Sequence, residues 1–116
     1  MSHDFDLIVR TEKFGEQSIL FAKTIPKNCI NLPLISQFIR SSTSIGANYC
    51  EANHAESKKD FIHKVGISRK EAKETIFWIK MIIVSEPKLS DHGNNLLQEA
   101  NELNLILSSI VKKSSI

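Results

Sequence analysis

Acidic side chains and a histidine occur at helical spacing, and such groups could hold a metal ion. Glu51 and His54 stand three residues apart, which is the spacing of half of a ferritin-like di-iron site. A complete site of that kind needs a second such pair and two further glutamates, and the sequence offers no second pair. Cys50 and His54, one helical turn apart, would supply only two of the four ligands of a zinc site. We therefore expect no metal ion and no cofactor.

Two Glu-x-x-Glu pairs point to a different chemistry, that of a magnesium-dependent nucleotide pyrophosphohydrolase. The pairs are Glu71 with Glu74 and Glu99 with Glu102. On a helical wheel they flank the apolar stripes, a placement typical of a solvated face. The sequence also has no glycine-rich phosphate loop, no recognisable Ser-His-Asp arrangement and no Arg-to-His spacing of helical ribonucleases. We expect neither an enzymatic activity nor a small-molecule substrate.

Basic residues form a second candidate site. Arg69, Lys73 and Lys80 share one side of a predicted helix, and Arg10 and Lys13 lie on another. Such strips could contact the phosphates of RNA or DNA, and the symmetry of an oligomer would repeat each strip in every copy. The alternative is ordinary salt bridging and solubility. The formal net charge is only +2, from 15 basic and 13 acidic residues, which excludes a strongly basic, histone-like binder.

The composition limits the kinds of protein that this chain can be. The chain has 116 residues, 41% of them hydrophobic and 24% charged, which predicts a single soluble domain over residues 1–116. No apolar run is long enough for a membrane span, and the first residues lack the apolar region of a secretory signal. Two cysteines cannot form a disulfide framework. We expect a cytoplasmic protein without a membrane partner.

Four segments have the length and periodicity of helices, over about 4–23, about 34–52, from 57 to near 87, and from 90 or 91 onward. Their stripes advance in steps of four, three or seven residues, and short links make each helix antiparallel to its predecessor. The pattern predicts an all-α, antiparallel, up-down-up-down four-helix bundle. The stripes are Leu7, Thr11, Phe14, Ser18 and Phe21; Phe38, Ser42, Ile45, Tyr49 and Ala52; Phe61, Val65, Ser68, Ala72, Thr75, Ile79 and Ile82; and Leu96, Ala100, Leu103, Leu107 and Ile110.

Apolar residues exceed what one stripe on each helix requires. Phe77, Trp78 and Met81 lie beside the stripe of the third helix. A second apolar edge favours self-association over a wide buried face in a monomer. Gly46 and Gly66 stand inside predicted helices, where glycine is unfavourable, so we expect each to allow a neighbouring backbone to approach closely.

The segment from Arg40 to Glu51 contains the pattern Arg-Ser-Ser-x-Ser-Ile-x-Ala-Asn-x-x-Glu. The segments 57–62 and 68–75, the latter followed by Trp78, extend the same pattern. On these motifs the sequence resembles the four-helix-bundle family of 23S rRNA intervening-sequence proteins, also labelled S23 ribosomal protein. The resemblance implies a short antiparallel bundle, often a homopentamer. It also implies nucleic-acid binding through basic residues, as in a related accessory protein of diversity-generating retroelements.

The polar residues of these motifs are a further candidate site. We expect a hydrogen-bond network that sets the register of the second and third helices, with Arg69 reaching Glu51 and Glu74 reaching Arg40; a ligand site is the alternative. The expected function is a non-enzymatic, homo-oligomeric accessory bundle that binds RNA or DNA, and the alternative is a protein-interaction or scaffold bundle. The polar set comprises Arg40, Asn48, Glu51, Arg69 and Glu74.

Overall fold

The computed structural model describes residues 3–114, with side chains from Leu7 onward. Within that range the chain forms four long helices and no strand. Helix α1 spans His3–Thr24, α2 Asn31–Asn53, α3 Lys58–Ser85 and α4 Ser90–Ser114. One turn of 3₁₀ helix, Pro87–Leu89, separates α3 from α4. The bundle measures 44 × 25 × 20 Å, so its long dimension matches the roughly 42 Å expected for the 28 residues of α3.

Each helix packs against its neighbours in the chain, and α1 also packs against α4 to close the bundle. The α2–α3 seam is the most extensive and the α1–α4 seam the least, while α1 and α3 lie diagonally opposite each other across the core. Bonds across α2 and α3 run in opposite order along the chain, from Ser41 with Thr75 to Ile45 with Ser68. The predicted antiparallel four-helix bundle is therefore confirmed.

The four predicted stripes form most of the core, which Ala22 and Ile25 complete at the end of α1. Every stripe residue of α1 and α2 is buried, and so are the central stripe residues of α3 and α4. Phe61 and Ile110 are only partly buried against the core. They lie near the ends of α3 and α4, where the neighbouring helices cover less of each side chain.

The helix ends depart from the prediction where side chains satisfy backbone groups. Helix α2 begins at Asn31, three residues before the predicted start, because the Asn28 side chain accepts hydrogen bonds from the N–H groups of Ile30 and Asn31. At the start of α3, the Ser57 hydroxyl accepts a 3.0 Å hydrogen bond from the Asp60 N–H, the cap that its sequence predicts.

A buried asparagine joins three elements at one end of the bundle. The Ser85 hydroxyl donates to Asn31 Oδ1 at 2.5 Å, and Asn31 Nδ2 donates to the Pro26 carbonyl at 2.9 Å and to Glu86 Oε2 at 3.0 Å. Asn31 is 1% exposed, so these bonds replace its hydration. The α1–α2 loop is thereby tied to the end of α3.

The two glycines singled out in the sequence have different surroundings. A Cβ atom at Gly46 would lie 3.3 Å from the backbone carbonyl of Thr11, so glycine there allows close packing of α1 and α2, as predicted. A Cβ atom at Gly66 would meet nothing within 4 Å. The prediction of a close neighbouring backbone at Gly66 is therefore wrong for contacts within this chain.

Candidate nucleic-acid interface

Arg10 on α1 is held by two carboxylates of α4. Its guanidinium donates to both oxygens of Glu99 at 2.7 Å and to Glu102 at 3.1 Å. The hydrogen bonds to Glu99 raise the pKa of Arg10 above its ordinary value, and this effect exceeds the opposing effect of partial burial. Because its Nε and Nη2 donors bind carboxylates, Arg10 has a structural role between α1 and α4, and Nη1 is the donor group left for a phosphate. The sequence prediction placed Arg10 in the nucleic-acid set, and the structure adds this structural role.

Arg40 on α2 is bound in the same way by α3. Its guanidinium donates to Glu71 at 3.0 Å and to Glu74 at 2.6 Å. The Glu71 hydrogen bond is the main reason that the pKa of Arg40 is raised. The pairing with Glu74 was expected from the sequence, whereas the pairing with Glu71 was not.

Both Glu-x-x-Glu pairs therefore serve as arginine clamps across a helix seam. The solvated-face interpretation is wrong for Glu71, whose side chain is only 15% exposed. The two pairs lie on different seams, α2–α3 and α1–α4, so their carboxylates do not converge. Within the described residues, no group of three or more His, Cys, Asp or Glu side chains could hold a metal ion. The carboxylates of both pairs bind guanidinium groups and so join two helices across each seam.

The remaining polar candidates form no single network. Glu51 is bound by Lys64 at 3.2 Å rather than by Arg69, and Asn48 donates to the Ser44 carbonyl of its own helix at 2.8 Å. The expected Arg69–Glu51 bond is absent because Ser68 faces α2, which directs Arg69 towards the α4 side of α3. Lys64 lies on the α2 side, one turn before Ser68, and reaches Glu51 instead.

Three basic residues of α3 lie on a different side of the helix from Glu71 and Glu74. Arg69 is partly exposed, Lys73 and Lys80 are exposed, and none of the three has an ion pair within the described part of the chain. Glu71 and Glu74 are turned towards α2 by their bonds to Arg40. The α3 strip, defined as Arg69, Lys73 and Lys80, is thus a row of free cations without an intervening carboxylate.

Lys13 does not belong to this row. It lies beside Arg10 in an open groove of about 420 Å³ between α1 and α4, together with His92. Because α1 and α3 occupy diagonal positions, Lys13 and the α3 strip face different sides of the bundle. The structure divides the predicted basic set into two surfaces.

The three apolar residues predicted for an oligomer interface differ in exposure. Phe77 is 51% exposed, and its ring lies edge-on to Trp78 with a centroid separation of 5.0 Å. Trp78 and Met81 are partly exposed, and Trp78 packs against the core. Val84, one heptad after Phe77, is 74% exposed and was not singled out from the sequence.

Comparison with known proteins identifies the family. The family model of the 23S rRNA-intervening sequence protein matches residues 3–109, most of the chain. The chain belongs to this family. The match extends from α1 into α4, whereas the sequence motifs that suggested the family lie on α2 and α3 alone.

A solved structure supports the assignment of this chain to the family of intervening-sequence proteins. It is a protein of unknown function of the S23 ribosomal protein family from Bacteroides thetaiotaomicron VPI-5482. The two chains are 32% identical, with a TM-score of 0.87 over 96% of this chain and 99% of the other. No curated protein matches the sequence. Among the described residues, none of the helices has the length and hydropathy required to span a bilayer.

Proposed function

We propose that this protein is a non-enzymatic, self-associating bundle that binds the phosphate backbone of nucleic acid, with structured RNA as its ligand. The observation that carries the proposal is the separation of charge on α3. Arg40 binds Glu71 and Glu74 of that helix, and the α3 strip keeps its cations free. The family description, which refers to an intervening sequence of 23S rRNA, supports RNA as the first ligand to test.

The spacing of the strip suits backbone contact rather than base readout. Lys73 and Lys80 are separated by two helical turns, about 10 Å along the axis, and Arg69 lies one turn before Lys73. Tyr49 is fully buried and Trp78 packs against the core, so neither offers a free face for stacking bases. Binding through Arg69, Lys73 and Lys80 is therefore expected to be sequence-tolerant and salt-dependent.

Self-association is the second part of the proposal. The outer surface of α3 exposes Phe77 and Val84, which leaves apolar area in water. Covering this area with another copy would remove it from solvent, and symmetry would repeat the α3 strip around the assembly. A repeated strip increases affinity for a long polyanion without a higher net charge on each copy.

The proposal is tested by measuring RNA affinity at several salt concentrations. The test variant combines Arg69→Glu with Lys73→Glu. Its control combines Lys13→Glu with Lys23→Glu, which makes the same charge change at exposed positions of α1. We expect the wild-type chain to bind structured RNA and the α3 variant to lose about tenfold or more in affinity. Losing two of the three phosphate contacts should also lower the salt slope by about 1.4 to 1.8.

Two outcomes contradict phosphate binding by the α3 strip. One is an absence of wild-type binding at low salt. The other is an equal loss in the α1 control, which would mean that net charge alone governs the affinity. If the protein self-associates and binds neither RNA nor DNA, the alternative function, a scaffold bundle that uses the apolar surface of α3, is favoured.

A further inference from the structure

An apolar groove runs between α1 and α2, on a different side of the bundle from the α3 strip. It has a volume of about 340 Å³, and its floor is made by small residues, among them Gly15, Gly46 and Ala47. Ile19, 42% exposed, forms part of its wall. Two exposed carboxylates, Glu12 and Glu16, stand one helical turn apart on α1 and line the groove.

Neither carboxylate has an ion pair within residues 7–114. The groove therefore combines an apolar floor with uncompensated negative charge. A surface that fits it must be convex, apolar and positively charged at its side.

The outer surface of α3 has these properties. Lys70, Phe77 and Val84 follow one another at seven-residue spacing, so they lie along one line of the helix. We call this line the α3 ridge. Phe77 is the one Phe, Tyr or Trp side chain exposed by more than a third among the described residues, and Lys70 has no ion pair there. Leu105, the exposed apolar residue of α4, instead lies one turn after Glu102 and would bring negative charge to the groove.

Gly66 extends the ridge by one further turn. Glycine inside a helix costs about 1 kcal/mol relative to alanine. At Gly46 the close approach of Thr11 explains the glycine, but at Gly66 no atom of this chain lies where a Cβ would point. A flat position next to Lys70 lets a second molecule approach the backbone of α3.

We propose that the α3 ridge of one copy docks into the α1–α2 groove of a second copy. Phe77 and Val84 enter the apolar groove, and Lys70 pairs with Glu12 or Glu16 at its edge. This proposal rests on the self-association proposed above and specifies its two surfaces. Because ridge and groove are different parts of the chain, each copy donates one and receives the other, and repetition produces a closed ring or a filament rather than a two-fold dimer.

We expect the docked arrangement to keep the α3 strip accessible. Lys73 and Lys80 lie beside the ridge on its α4 side, whereas Lys70 belongs to the ridge itself. Self-docking and phosphate binding therefore use different cations of one helix, and the two activities can be separated by mutation.

The first test measures molar mass by light scattering on the full chain. We expect the wild type to exceed the mass of one copy. Lys70→Glu alone, and Glu12→Lys combined with Glu16→Lys, should each raise the dissociation constant by about tenfold or more. A chain that carries all three substitutions should associate again, because the negative charge then lies on the ridge and the positive charge lies in the groove. Lys73→Glu is the matched control and should keep the wild-type mass while weakening RNA binding.

The proposal is overturned if the wild type is a single copy, if Lys73→Glu dissociates it as much as Lys70→Glu, or if the triple exchange recovers nothing. All four positions are exposed on helices, and circular dichroism checks that each variant folds. A wild type that associates but binds no RNA would contradict the phosphate proposal alone. A wild type that binds RNA as a single copy would contradict only the docking proposal.

The two cysteines provide a second test. Cys50 lines the groove, Cys29 lies in the α1–α2 loop, and both thiols are exposed in the single chain. We expect a thiol reagent to modify Cys50 about tenfold more slowly in the assembled wild type than in Lys70→Glu, with Cys29 reacting at the same rate in both. Equal rates at Cys50 would show that the groove stays open in the assembly and would overturn the proposal.

Discussion

A hydrogen bond of 2.9 Å joins the hydroxyls of Thr75 on α3 and Ser41 on α2, and both side chains are fully buried. Four residues further along α2, the Ser68 hydroxyl donates to the Ile45 carbonyl at 2.7 Å. Two adjacent layers of the α2–α3 seam are thus joined by small hydroxyl side chains. Small residues bring the helices together, and their polar atoms are satisfied across the seam.

Replacing Thr75 with valine keeps the shape and removes the bond. We expect Thr75→Val to lower the free energy of unfolding by about 1 kcal/mol, because the Ser41 hydroxyl loses its partner across the seam. Urea denaturation measures the change. Thr43→Val is the control, since its hydroxyl bonds only to carbonyls of its own helix. Equal losses in both variants would contradict a special role of the α2–α3 bond.

Two glycine substitutions should change stability in opposite directions. Gly46→Ala places a Cβ 3.3 Å from the Thr11 backbone, and we expect a net loss of about 1 kcal/mol despite better helix propensity. Gly66→Ala meets nothing within the chain and should gain about 0.5–1 kcal/mol. Both are measured by urea unfolding in the Lys70→Glu background, so that association does not contribute. A gain at Gly46 together with a loss at Gly66 would contradict the packing described here.

The ion pairs of Arg10 with Glu99 and Glu102 should contribute modestly to the free energy of unfolding, and this contribution should fall as the salt concentration rises. Arg10 is 36% exposed, so we expect Glu99→Gln to cost about 0.5–1 kcal/mol at low salt and less at high salt. Its pKa is raised, so the Arg10 contribution is complete below the ordinary arginine pKa and is lost only as pH rises through the still higher folded value. The difference between wild type and Glu99→Gln should therefore stay constant between about pH 7 and pH 10.

Chemical denaturation at each pH and salt concentration measures the contribution of the clamp. Glu56→Gln is the control, because Glu56 is exposed and has no ion pair in the described chain. A steady decline of the difference as pH rises towards 10 would contradict the assignment.

Asn31 should contribute more to the free energy of unfolding than an ordinary surface asparagine does. Asn31→Ala leaves the Ser85 hydroxyl, the Pro26 carbonyl and the Glu86 carboxylate without this partner, and we expect a loss of about 1–3 kcal/mol. Thermal and urea unfolding measure it. Asn101→Ala, at an exposed position of α4, is the control and should stay within about 0.5 kcal/mol of wild type. A similar effect of both substitutions would show that the buried bonds are not important for stability.

The helices and the core stripes could be predicted from the sequence because helical periodicity depends only on the spacing of residues within one helix. A residue such as Phe21 or Ile79 is placed on the inner side by its spacing from neighbours on its own helix, whatever lies opposite. The Ser57 cap and the break at Pro87 are local in the same sense. These local features, together with the short links between helices, predicted the antiparallel bundle.

The partners of the charged residues required the tertiary structure. Arg10 and Glu99 are 89 positions apart, and nothing in their own segments indicates that α1 and α4 bring them within 2.7 Å. Lys64 takes the place predicted for Arg69 because the rotation of α3 about its axis, set by the buried Ser68 layer, decides which cation reaches α2. Periodicity along one helix determines which side faces inward; only the packing of helices against each other decides which charges are neutralised and which remain free to bind.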